Sequence, residues 1–434
     1  MPGNRAIRMK IGLLGQFGAG NSGNDGSLEA MATFLRRARP DAELLCICSK
    51  PEVVEAAFGM EAVPVGMPPP RSRLYRAINS LLRDVPRKIH NVLFCFACTR
   101  DLDLLLVPGT GILDDFREAA FGWPFVLLRW CIAATASGTR IAFVNIGAGP
   151  IENGLSRRFM KAAANLAGYR SYRDEVSRRF MNELGCDVSA DTVRPDLAFA
   201  LPAPPDATAP GRRVTTVAIG VMSYFGWRKD ADERGDVHRA YLGKMERFVT
   251  WVLSQGHEVR LLTGDAEDGR TAKALLDRLR RALPEDMSAR IVAEPCDTLD
   301  LLMRQIAQSD IVVATRYHNV VCALKMARPT ISLGYARKNQ ALLADVGLAE
   351  YCHHVETFDV NAVIEQFRRI TRERQDVSDR IARRVETYRQ QLVEQEATLL
   401  GWMADGSRIS GRTVVEPQPA PGAAMSLPAN RRSR

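Results

Sequence analysis

Asp310-Ile-Val-Val-Ala-Thr-Arg316-Tyr-His318-Asn319 reads as a short apolar strand that stops at a guanidinium and an imidazole. The run Ile311–Thr315 has no polar alternation, which suits a strand buried on both faces of a parallel sheet. Ligands of open α/β sheets bind at the carboxyl ends of the strands, where loops and helix N-termini converge. Arg316 offers a planar fork of donors for a carboxylate or phosphate. His318 can give a hydrogen bond or a proton near neutral pH. Together they point to a small anionic substrate held in a cleft. The plainer readings are an arginine capping a neighbouring helix and a histidine satisfied within the core.

Outward from this segment, strands alternate with helical patterns, the rhythm of a parallel α/β fold. Strands are expected at Met9–Leu14, Leu44–Cys48, Leu102–Val107, Arg140–Ile146 and Tyr169–Tyr172. After a proline-rich linker at 202–213 the rhythm restarts, with strands at Val214–Val221, His257–Leu262, Ala289–Val292 and Thr330–Leu333. Helices include Ser27–Arg37, Arg239–Ser254, His318–Met326 and a long amphipathic one at Val377–Leu400. The organisation implied is an N-terminal Rossmann-like domain at 1–201, the linker, a C-terminal Rossmann-like domain at 214–405, and a disordered tail at 406–434. The two domains would face each other across a cleft.

A chain of 434 residues exceeds what one hydrophobic core serves, in keeping with two domains. The formal charge of +9 is concentrated. Residues 71–100 hold seven basic residues against Asp84, and the 406–434 tail holds five arginines against Glu416. The remaining body is near neutral, which argues against a surface for nucleic acid. Nine cysteines show no framework spacing and read as small buried thiols of a reducing cytoplasm. No run is long enough for a membrane span; the best candidate, Ala119–Ser137, carries Pro124 and Arg129. The 71–100 stretch interleaves Leu74, Ile78, Leu81, Leu82 and Val85 with its cations. It is either a solvated helix or a surface for anionic lipid head groups, giving peripheral contact with the inner membrane.

Gly18-Ala-Gly20-Asn21-Ser-Gly23 fits G-x-G-x-x-G between a strand and a helix, where backbone amides can receive an anion. The second strand ends at Ser49-Lys50 rather than at a ribose-holding acid, which weakens a dinucleotide reading. A tight turn without ligand and a polar-substrate floor stay open. Gly109-Thr-Gly111 and Gly147-Ala-Gly149-Pro150 stand at further strand ends and extend the same floor. Arg173, in Tyr172-Arg173-Asp174-Glu175, either pairs with the acids opening a helix or serves as a second anion clamp. Tyr335 and Lys338 bring a phenol and an ammonium to the Arg316 edge, and no Cys/His grouping suggests a metal.

With these residues assembled, the chain resembles the polysaccharide pyruvyl transferase family over residues 10 to about 350. The matching blocks are Gly15…Gly18-Ala-Gly20-Asn21…Gly23, Gly109-Thr-Gly111, Gly147…Gly149-Pro150, Tyr172-Arg173-Asp174-Glu175-Val-Ser177, Asp196-Leu-Ala-Phe199, Arg316-Tyr-His318 and Pro329…Tyr335…Lys338. Two positions depart from the family pattern. Gly23-Asn24-Asp25 stands for Gly-Asp-Glu, which either moves an acidic role to Asp25 or removes it, and Tyr317 replaces a leucine, a change expected to leave the chemistry alone.

The resemblance implies a fold similar to GT-B glycosyltransferases and transfer of a pyruvyl group from phosphoenolpyruvate to a sugar, forming a ketal. It also implies that Arg316, His318 and Arg173 hold the donor. That chemistry asks for two cationic clamps, with Lys338 as a third, for His318 as general acid, and for Asp25 orienting the acceptor. No cofactor beyond the donor is implied. The acceptor would be an oligosaccharide or a lipid-linked saccharide. Competing readings are a glycosyltransferase using a nucleotide sugar and a silent sugar- or anion-binding module.

Overall fold

The computed structural model describes residues 8–68, 72–82, 84–115, 118–204, 215–226 and 231–405. Most of the expected linker and the whole expected tail lie outside the described residues.

The first sheet begins with β1 (Lys10–Leu14), α1 (Ser22–Ala38), β2 (Glu43–Cys48), α2 (Pro51–Phe58) and β3 (Glu61–Pro64). Two helices follow, α3 (Arg73–Leu81) and α4 (Val85–Thr99), and lead into β4 (Leu104–Pro108). Then come α5 (Trp123–Ala136), β5 (Arg140–Ile146), α6 (Gly154–Asn165), β6 (Tyr169–Tyr172), α7 (Glu175–Glu183) and β7 (Thr192–Val193). The second sheet opens with β8 (Thr216–Gly220), α8 (Ala231–Ser254), β9 (Glu258–Leu262), α9 (Asp268–Ala282), α10 (Glu285–Ser288) and β10 (Ile291–Ala293). It continues through α11 (Leu299–Ala307), β11 (Ile311–Ala314), α12 (Tyr317–Lys325), β12 (Thr330–Gly334), α13 (Arg337–Asp345) and β13 (Cys352–His354). Helices α14 (Val360–Arg372) and α15 (Arg374–Asp405) close the described chain.

Both sheets are parallel, in the orders β3-β2-β1-β4-β5-β6-β7 and β10-β9-β8-β11-β12-β13. Strand order reverses between β1 and β4 in the first and between β8 and β11 in the second. Each reversal opens a crevice at the carboxyl edge. The glycine turn after β1 and the Gly109 loop flank the first crevice, and Arg316 and His318 stand beside the second.

Strand alternation feeds two cores. Ile11, Leu13, Leu104, Leu106, Ala142 and Val144 point into one, and Leu14, Leu105, Val107, Ile141 and Phe143 into the other. The first core is continuous with the second sheet: Leu197, Phe199 and Leu201 join Val313, Val320 and Leu324 in it. Helix α15 runs back to the first sheet, where Gln395 donates to Tyr169 Oη at 2.6 Å and Arg140 Nη1 donates to the Met403 carbonyl at 3.0 Å.

Ala119–Ser137, the strongest membrane candidate in the sequence, contains α5, whose Trp123, Leu127 and Trp130 are buried. Its Arg129 donates to the Val65 carbonyl. No helix among the described residues is long and apolar enough to cross a membrane. All nine cysteines are free thiols.

Candidate active site

The glycine turn is a joint between the sheets rather than an open cradle. Gly18 and Gly20 take φ values of 72° and 95°, conformations costly for any side chain. A methyl on Gly18 would also stand 2.8 Å from the Lys50 carbonyl oxygen. Asn21 caps α1, its Oδ1 accepting from the Gly23 and Asn24 amides at 3.1 Å. Its Nδ2 donates to Asp265 Oδ2 in the second half at 3.3 Å. Ser22 Oγ donates to the Gly264 carbonyl at 2.9 Å, and the Ala266 amide donates back to the Gly20 carbonyl at 2.9 Å.

Asp25 belongs to the same joint, accepting from the Gly18 amide at 2.8 Å. Burial raises its pKa, the Gly18 hydrogen bond opposes the rise, and the charge of Asp265 adds to it. Gly18, Gly20 and Asn21, expected to touch substrate, and Asp25, expected to orient it, therefore all stand outside the cavity described below. The physical reason is local. The helix starts at Ser22, earlier than its apolar pattern announces, and its cap consumes the polar side chains.

The other two glycine loops do meet a cavity. The Gly109 amide donates to the Val144 carbonyl and the Gly147 amide to the Thr110 carbonyl, both at 2.7 Å, so the loops after β4 and β5 interlock. Thr110 has φ 65°, backbone strain of the kind that collects at functional sites, and a buried hydroxyl without a hydrogen-bond partner among the described residues. Gly109 itself packs against Ser27, 2.5 Å from where its Cβ would be. Gly111, Gly147 and Gly149 face the cavity.

Arg173 emerges from β6 just before α7, which Asp174 caps by accepting from the Ser177 amide at 2.7 Å. Its guanidinium is buried, with Nη1 donating to Asp196 Oδ2 at 3.2 Å and Asp174 Oδ2 3.9 Å from Nε. Burial disfavours the charge, but Tyr317, Asp196 and Asp174 around it hold Arg173 firmly cationic. A side chain at Gly147 would strike this guanidinium at 2.5 Å.

From the second half, His318 reaches the same carboxylate. Its Nε2 lies 3.7 Å from Asp196 Oδ2 and has no hydrogen-bond partner among the described residues. At that separation the imidazole acts on the carboxylate through its field. Burial alone would raise the Asp196 pKa, but His318 and Arg173, with the Ala198 amide, hold the carboxyl well below the usual range. The imidazole is seated because Gly23 has no side chain: a Cβ there would stand 1.9 Å from Nδ1.

Tyr317 links the cations. Its buried ring lies 4.6 Å from the Arg173 guanidinium and 5.5 Å from Lys338 Nζ, a cation–π contact with each. Lys338 also lies over Tyr335 at 5.4 Å and has no acidic partner among the described residues.

Arg316 is held differently from the open fork its sequence position promises. Its Nε and Nη2 donate to the two oxygens of Asp268 at 2.8 Å each, and this carboxylate is fully buried at the start of α9. Asp265 lies 3.9 Å away. The Nη1 edge has no partner among the described residues.

The cavity, about 1100 Å³, opens between the strand-end loops of the two sheets. Gly111, Asp114, Gly147, Gly149 and Arg173 line it from the first, and Tyr335, Arg337, Lys338, His353 and His354 from the second. Arg316 and His318 stand beside this lining rather than in it.

Several of these residues escaped the sequence reading. Arg179 and Arg337 reach the cavity from the second turn of α7 and the first residue of α13, and neither carries a local motif. His353 and His354, which no local pattern marks as a strand, form most of β13. Asp196 joins partners 23 positions upstream and 122 downstream, a meeting that no local pattern announces.

The sequence matches the family described as polysaccharide pyruvyl transferase over residues 21–337. No curated protein matches it significantly. Among solved structures, an S. aureus MnaA–UDP co-structure superposes with a TM-score of 0.59 at 10% identity, covering 96% of this chain and 100% of that one. A putative UDP-N-acetylglucosamine 2-epimerase from Listeria monocytogenes gives 0.55 at 11% identity over 95% and 100%. A glycosyltransferase from Rickettsia africae gives 0.54 at 10% over 93% and 99%. These likenesses establish the fold, two parallel α/β sheets arranged as in GT-B enzymes.

Proposed function

Because the chain belongs to the polysaccharide pyruvyl transferase family, we propose that it moves the enolpyruvyl unit of phosphoenolpyruvate onto two hydroxyls of a saccharide. The products are a cyclic pyruvate ketal and inorganic phosphate. The observation that carries this reading is the meeting of Arg173 and His318 on one buried carboxylate, Asp196, beside a cavity edged by Lys338.

Phosphoenolpyruvate brings a carboxylate and a phosphate, and buried or sheltered cations are the groups that recognise both. Arg173 and Lys338, both within cation–π reach of the Tyr317 ring, supply two positive centres at the cavity. Arg316 adds its Nη1 edge, with Asp268 fixing the rest of the fork. Gly111, Gly147 and Gly149 let backbone approach the donor without side-chain obstruction.

His318 is the proton donor in this scheme. Its proton goes to the methylene carbon of the donor, and the central carbon becomes electrophilic for the first saccharide hydroxyl. The C–O bond to phosphate then breaks and the second hydroxyl closes the ketal ring. One hydroxyl proton restores the imidazole and the other leaves with phosphate, so donor and acceptor alone balance the reaction. Asp196, 3.7 Å from Nε2, keeps the imidazole oriented.

The test is incubation with phosphoenolpyruvate and candidate surface saccharides, following phosphate release and the ketal methyl resonance. Release of a nucleoside diphosphate from a sugar nucleotide, with phosphoenolpyruvate untouched, would replace this reading by glycosyl transfer.

A further inference from the structure

We propose that the α3–α4 helical pair is a docking surface for the anionic head groups of a lipid bilayer. A surface helix normally turns its apolar stripe inward. Here the stripes face solvent. On α3 and the turn after it, Leu74, Ile78, Leu81 and Leu82 recur at helical spacing, with Leu74 71% and Leu81 81% exposed, and α3 buries no residue at all. On α4, Val85, Ile89 and Leu93 recur every four residues, and Leu93 is 59% exposed.

The pair is ordered without covering these faces. Tyr75 Oη and the His90 Nδ1 hydrogen bond at 2.9 Å and their rings stack at 5.5 Å, joining the helices along their inner sides. The opposite side of α4, with Asn91, Cys95 and Thr99, packs onto the fold.

Charge selects the occupant. Arg73, Arg76 and Arg87 flank the stripes, and no acidic partner meets them among the described residues. Lys88 lies 4.5 Å over Phe121, itself exposed, extending the apolar rim under a cation. Exposed aliphatic side chains flanked by unpaired cations match a bilayer surface, where the apolar groups enter the acyl boundary and the cations remain at phosphate level. Helix α4 returns to the amino end of β4, so its first turn and α3 lie at the carboxyl end of the first sheet, the end that carries the cavity. A membrane-borne acceptor would thus be presented from the correct side.

Cosedimentation of the full chain with vesicles tests the assignment and requires no substrate. Phosphatidylcholine vesicles containing about one-third phosphatidylglycerol should bind it, pure phosphatidylcholine should bind far less, and added salt should weaken binding. Arg73→Gln with Arg76→Gln should lower partitioning by on the order of fivefold per residue. Leu74→Ser with Leu81→Ser should remove the salt-resistant remainder. Both pairs are exposed, so the thermal midpoint should not move. Equal binding by all forms would overturn the proposal. So would a wild-type dimer that Leu74→Ser with Leu81→Ser splits into monomers, because the face would then cover a second copy of the chain.

Discussion

Gly23 and His318 are separated by nearly three hundred positions, yet one has its residue type because of the other. The 1.9 Å approach of a virtual Cβ to Nδ1 means that Gly23→Ala must displace the imidazole. We predict that Gly23→Ala lowers turnover in the direction of His318→Asn, which should itself lose about 10²–10⁴-fold in kcat, the span of a general acid. Phosphoenolpyruvate binding should survive His318→Asn within severalfold. Unchanged turnover in His318→Asn would remove the proton-donor role.

Asp196 pairs with Arg173 as a charge only while it is ionised. Its folded pKa is depressed below the ordinary 3.8, so its stabilising contribution is complete above that pH and is lost as pH falls through the folded value. Asp196→Asn leaves a buried guanidinium without its closest counter-charge, and about 3–5 kcal/mol of stability should be lost in urea titrations at neutral pH. The deficit should shrink in acid, where the wild type loses the same charge. A deficit that does not depend on pH would contradict the pairing.

At the scale of elements, the parallel α/β rhythm and most strands were legible because buried apolar runs and glycine punctuation are local signals. The strand ahead of Arg316 begins and ends within one residue of its expected span. Short or polar elements were not legible. β13 consists of Cys352-His-His, and only its partner β12 makes it a strand. The glycine turn misled for a related reason: its motif describes a backbone that can approach something, and here the something is the other half of the protein. Gly26 shows the same economy, since a Cβ there would meet Leu299 Cδ1 at 2.2 Å where α1 crosses α11. Gly26→Ala should therefore destabilise the fold by about 1–3 kcal/mol through overpacking, seen as a lower urea midpoint. An unchanged midpoint would mean that the contact between these helices is slack.

Across the whole molecule, the arrangement of site residues depends on contacts between the halves. Arg173 and Asp196 come from the first, His318 and Lys338 from the second, and neither half alone holds two cations around Tyr317. The shared core through Leu197, Phe199 and Val320, together with the return of α15 to Arg140 and Tyr169, predicts one cooperative unfolding transition. Two separated calorimetric peaks would show that the halves are energetically independent.

The most direct measurement is calorimetric titration of phosphoenolpyruvate into the full chain, beside a uridine diphosphate sugar and beside Arg173→Gln. Phosphoenolpyruvate should bind saturably, Arg173→Gln should abolish that binding, and the sugar nucleotide should show no saturable binding. Tight binding of the sugar nucleotide with none of phosphoenolpyruvate would contradict the proposed function.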